Sequence, residues 1–193
     1  MSNPLRDRRP VTDLATNGQV IEFTEDIGFF DSLAAIVEAD LDALDREELP
    51  RDWRKNAVSG VVRFDFVDSG SRLPRMRASA ATRLPAVCQR CLEVFEIGIE
   101  FEAELLLLRH DEPAMGFEDI EVWELEEPTL RAQDVVEELL IMAMPFTAMH
   151  DNRAECKALL SDAGKGDDEG EELVKPFAAL RAQMKQDEKD PGN

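Results

Sequence analysis

The chain has 193 residues, of which 44% are hydrophobic and 33% charged, and its formal net charge at pH 7 is −20. That length and apolar content suit one domain of ordinary size with tails and exclude wholesale disorder. No apolar run reaches the 18 or so residues of a membrane span, and the polar N-terminus has no apolar stretch behind it, so neither a transmembrane helix nor a secretory signal is expected. The three cysteines, an odd number, argue against a disulfide framework and for a reducing compartment, the cytoplasm.

Residues 1–16 are polar and contain Pro and Arg, and they read as a flexible lead-in to a single α+β domain over residues 17–160. Gly18–Phe23 suits a short strand. From Phe29 to Leu44 the apolar residues Phe29, Leu33, Ile36, Val37, Leu41 and Leu44 recur at steps of three and four, the spacing of an amphipathic helix, with Pro50 beyond its end. The pattern then changes period. Val62, Phe64 and Phe66 alternate with Arg63 and Asp65, and Met76, Ala78, Ala80, Thr82 and Leu84 share one face of a stretch over residues 74–84. Ile97, Ile99, Phe101, Ala103, Leu105 and Leu107 point one way and Glu100, Glu102 and Glu104 the other, as in a half-buried antiparallel strand over residues 94–108. A short strand is expected over Ile120–Leu125 and a helix over residues 131–144, stopped by Pro145. The fold class is therefore α+β, an antiparallel sheet backed by two amphipathic helices. Residues 161–174 are too acidic and Gly-rich to bury anything and read as a disordered linker. Residues 175–187 read as a C-terminal docking helix and residues 188–193 as a tail.

Charge is segregated along the chain. Residues 51–90 carry nine basic residues against three acidic, whereas residues 93–138 carry 16 acidic residues against two arginines. Pairing between neighbouring basic and acidic strands accounts for part of this without any partner. It cannot absorb the surplus of negative charge, which must face water or a basic partner.

Cys88-Gln-Arg-Cys91 is a C-x2-C pair at a turn between strands, a spacing that lets two thiolates reach one metal ion. His150 and Cys156, separated by five residues, supply the other half of a Cys3His set, for which zinc is the usual occupant. The competing reading is three ordinary reduced cysteines and a surface histidine. A redox role fits poorly, because C-x-x-C here lies among antiparallel strands rather than at a helix N-terminus. No third group stands ready to orient a Cys–His pair for nucleophilic catalysis. No Gly-rich phosphate loop is present, and without tyrosine any base-stacking platform would rest on Phe and Trp.

Three motifs in order resemble the YceD family, the large ribosomal RNA subunit accumulation proteins. They are Cys88-Gln-Arg-Cys91-Leu with Phe95; Val135 to Pro145 followed by His150-Asp151 and Cys156; and Pro176-Phe-Ala-Ala-Leu180, where Lys175 stands in place of the usual Asn. The resemblance covers about residues 85–185. It implies a role in accumulation or processing of large-subunit ribosomal RNA, brings no catalytic residue, and adds weight to zinc as a structural cofactor on Cys88, Cys91, His150 and Cys156. The expected mode of action is non-enzymatic, through contacts with a basic ribosomal protein or a ribosome assembly intermediate. The alternative is direct RNA binding through the basic stretch at residues 51–90. A ribonuclease would need an acid–base constellation that the sequence does not offer.

Overall fold

A computed structural model describes residues 3–42, 44, 50–68, 70, 72–110, 112, 116–117, 119–152 and 156. The expected acidic linker, docking helix and tail lie outside the described residues.

The first elements are a strand β1 (Arg8–Pro10) and a helix α1 (Val11–Thr16). They depart from the flexible lead-in expected for residues 1–16. Leu5, Val11 and Leu14 are all buried in the main core, and that burial orders a segment too short and too charged to show a periodic pattern. Next come β2 (Val20–Asp26), α2 (Asp31–Leu41), β3 (Ala57–Phe66), β4 (Pro74–Val87) and β5 (Val94–Arg109). The last elements among the described residues are β6 (Glu121–Leu125), β7 (Thr129–Arg131) and α3 (Ala132–Met142).

Five strands form one sheet in the order β2-β3-β4-β5-β6, and β1 pairs with β7 in a separate antiparallel ribbon. The first four sheet strands are antiparallel, as the alternation requires. β6 instead lies parallel to β5, with Leu105 opposite Glu121 and Arg109 opposite Leu125. The sheet is therefore mixed, three antiparallel pairings followed by one parallel pairing at its β6 edge.

Alternation decides which face is covered. Ile21, Val62, Phe64, Met76, Ala78, Leu84, Ile99 and Leu105 pack with Leu33, Val37, Val135, Val136 and Leu140 of α2 and α3 in one core. Phe101 lies on this face but is only partly buried. Gly60 sits opposite Phe23 in the β2–β3 register; a Cβ there would come within 2.7 Å of the Phe23 ring and would collide with the Ser79 carbonyl. The missing side chain thus makes room for the ring.

The two longer helices are tied together through α3. Neither α2 nor α3 has a local side-chain cap. The Glu137 carboxylate of α3 accepts hydrogen bonds from the backbone N–H groups of Ser32 (2.5 Å) and Leu33 (3.0 Å), at the first turn of α2. A carboxylate there satisfies donors that the helix cannot and lies at the positive end of its dipole. Buried Gln133 donates to the Phe29 carbonyl at 2.8 Å, and its own amide donates to the Leu5 carbonyl at 3.0 Å. These bonds fix α3, and through α3 the point at which the chain leaves for the candidate site.

Candidate metal centre

β4 and β5 form a hairpin whose last paired residues are Val87 and Val94. In the turn between them the Leu92 amide donates to the Cys88 carbonyl (2.8 Å) and the Cys88 amide to the Glu93 carbonyl (2.9 Å). Closing the turn this tightly holds Leu92 at φ 60°, in the left-handed region, with its side chain 66% exposed. Both cysteines are buried.

The second half of the site arrives from α3. Pro145 prevents that helix from continuing, and the following segment runs against the hairpin turn, where the Gln89 amide donates to the Ala148 carbonyl at 2.9 Å. The His150 ring then packs on Phe95, with centroids 4.4 Å apart. Cys156 is buried beside the two hairpin cysteines.

The four donor atoms of Cys88, Cys91, His150 and Cys156 all lie within 4.8 Å of one another. His150 Nδ1 is 3.6 Å from both Cys91 Sγ and Cys156 Sγ. A tetrahedral zinc ion with sulfur ligands at about 2.3 Å separates neighbouring donors by roughly 3.5–3.8 Å. The donor set also fits by chemistry, since three soft thiolates and an imidazole make a closed shell suited to zinc. The other histidine, His110, pairs with the exposed Glu124.

The electrostatics of the three sulfurs differ. Burial opposes ionisation of Cys88, but the backbone N–H groups of His150, Cys91 and Arg90 outweigh it and bring its pKa down to about 5. Burial pushes Cys91 up to about 11, and the neighbouring sulfurs of Cys88 and Cys156 push the same way. Three packed thiols therefore resist full ionisation unless a cation joins them. Arg90 supplies part of that positive charge, with its guanidinium 3.7 Å from Cys156 Sγ and 3.7 Å from Met149 Sδ. Arg90 carries no sign of this contact in the sequence beyond its place inside C-x2-C.

The basic stretch at residues 51–90 resolves differently. Arg75 pairs with Asp65 (2.8 Å) and Glu104 (2.7 Å), and Arg77 with Asp65 (2.6 Å). Arg83 pairs with Glu96 (3.1 Å), Arg54 with Glu38 (2.6 Å) and Lys55 with Asp52 (2.8 Å). Arg72 lies over the Phe66 ring at 5.1 Å. Among the described residues, five of the nine basic residues thus meet carboxylates of the chain itself, three of them from β4 across strands.

A family profile described as large ribosomal RNA subunit accumulation protein YceD matches residues 76–182. The chain belongs to the YceD family. The matched region runs from β4 through α3 and contains all four donors, so the candidate centre lies in the part of the chain that defines the family. The family's description names accumulation of large-subunit ribosomal RNA. No curated protein and no solved structure matches the chain. Among the described residues no helix is long and apolar enough to cross a membrane.

Proposed function

We propose that the chain is a non-enzymatic cytoplasmic factor that promotes accumulation of large-subunit ribosomal RNA through contacts with basic ribosomal proteins. The carrying observation is the disposition of charge: the arginines of β4 are engaged by Asp65, Glu96 and Glu104, which leaves a chain of net charge −20 with much of its cationic stretch already paired. An acidic surface of this kind repels phosphate and attracts basic proteins before they meet RNA. In this reading Cys88, Cys91, His150 and Cys156 hold one structural zinc ion. Four protein donors leave no open position on the metal for water or substrate, so the ion would act as a staple.

The test is a titration of the purified chain against fragments of large-subunit ribosomal RNA over a range of salt. The reading expects no saturable binding at physiological ionic strength. Tight binding that weakens steeply with salt would refute it, since that slope counts phosphates neutralised by the protein.

A further inference from the structure

The helices cover one face of the five-stranded sheet; the other face holds a groove of about 930 Å³. Two neighbouring rows of residues cross this groove in register. One runs Glu22–Val61–Ser79–Glu102 and the other Thr24–Ser59–Ala81–Glu100, from β2 across β3 and β4 to β5. The central positions, Val61 and Ser79 in one row and Ser59 and Ala81 in the other, are all shorter than Glu22, Glu100 and Glu102, so these four residues floor the groove and the three glutamates stand at its margins. Three strand spacings separate the walls, about 14 Å, which admits an extended chain or one helix.

The charges at the walls are unspent. Glu104 and Glu96 on β5 are taken by Arg75 and Arg83, but Glu22, Glu100 and Glu102 make no ion pair among the described residues. Arg63 lies at one end of the groove, beside Arg77, which is itself paired with Asp65. The interior is therefore acidic on both sides and closed by positive charge at one end.

We infer that this groove docks an extended, lysine- and arginine-rich polypeptide segment. The inference rests on the reading above that the partners are basic proteins, and it names the surface they occupy. Lysine and arginine suit both parts of the groove. Their methylene stems lie on the small floor residues while their charged ends reach Glu22 on one wall and Glu100 and Glu102 on the other. A nucleic acid strand would set phosphates against those same carboxylates, and the acidic stretch at residues 161–172 of the chain would be repelled in the same way.

The experiment uses the full chain and a synthetic, fluorescently labelled peptide of alternating arginine and alanine, read by anisotropy. Three variants are compared with the wild type. Glu22→Gln/Glu100→Gln/Glu102→Gln removes the walls, Ala81→Lys fills the floor, and Glu121→Gln/Glu126→Gln/Glu138→Gln removes equal charge elsewhere. All six glutamates are exposed, so melting temperatures should agree and report folding independently. Affinity is expected to fall at least about tenfold in the first two variants and less than about twofold in the third. Equal losses in the two triple variants would mean unspecific attraction and would overturn the inference. A benzophenone photo-cross-linking residue at position 81 should label the peptide. Label found instead on residues 157–193, on a second copy of the chain or on an added RNA hairpin would also overturn it. Failure of the groove is separable from failure of the functional reading. If the wild type retains ribosomal proteins after nuclease digestion and the groove triple variant retains as many, the groove falls and the reading stands. If the wild type retains none, both fall.

Discussion

If the four donors hold zinc as proposed, removing it should cost the fold a staple whose worth follows from the geometry of the site. The centre joins Cys91 to His150 across 59 positions of sequence. Treated as a cross-link closing a loop of that length, it removes unfolded-state entropy worth about 4 kcal/mol. For a domain of this size that corresponds to a fall in melting temperature of roughly 8–16 °C. The assay is differential scanning calorimetry of untagged protein with stoichiometric zinc, before and after dialysis against a strong chelator. Chelation should also free the three buried cysteines for alkylation. Cys88→Ser and Cys156→Ser should each reproduce most of the loss, and combining them should add little, because either change opens the same staple. A chain purified without metal that melts at the same temperature with and without added zinc would rule out the staple and return these residues to ordinary packing.

Three further outcomes follow from particular contacts. Arg75 first, and then Arg77, holds the Asp65 carboxyl below its ordinary value of 3.8; the stability this gives is present above about pH 4 and is lost as pH falls through the depressed folded value. Asp65→Asn should therefore cost about 1–2 kcal/mol at pH 7 and flatten the acid limb of a stability–pH curve; an unchanged limb would contradict the pairing. Glu137→Ala removes the cap on α2 and should cost about 1 kcal/mol in urea unfolding, whereas Glu138→Ala on the exposed side of α3 should be nearly silent. Leu92→Gly should leave stability unchanged or raise it by up to about 1 kcal/mol in a thermal melt, since φ 60° is free for glycine.

The parts of this structure legible in the sequence are those in which one face is wet and the other dry. β5 shows itself because Glu100, Glu102 and Glu104 alternate with apolar residues, and α2 because Leu33, Val37 and Leu41 recur along one side. At Leu105–Leu108 the alternation ends and four consecutive leucines are buried, which the pattern alone does not explain. β1, α1 and β7 leave no such trace. They are three to six residues long, and they are held by contacts with distant parts of the chain, such as the Val11 amide donating to the Pro128 carbonyl at 3.1 Å. The direction of β6 is equally silent, because a five-residue strand has the same composition in either orientation. The four donors stood out as two local spacings, and their meeting depends on how α3 is docked by Gln133 and Glu137. The cap that Glu137 places on α2 spans two helices and has no signature within either one.

The most direct test of the central claim, that this chain works through protein rather than RNA contacts, is affinity purification of the tagged full chain with and without exhaustive nuclease treatment. Basic ribosomal proteins of the large subunit should remain bound, in undiminished amount, after the RNA has been digested. Their complete loss on digestion, with ribosomal RNA recovered from the untreated sample, would contradict the account.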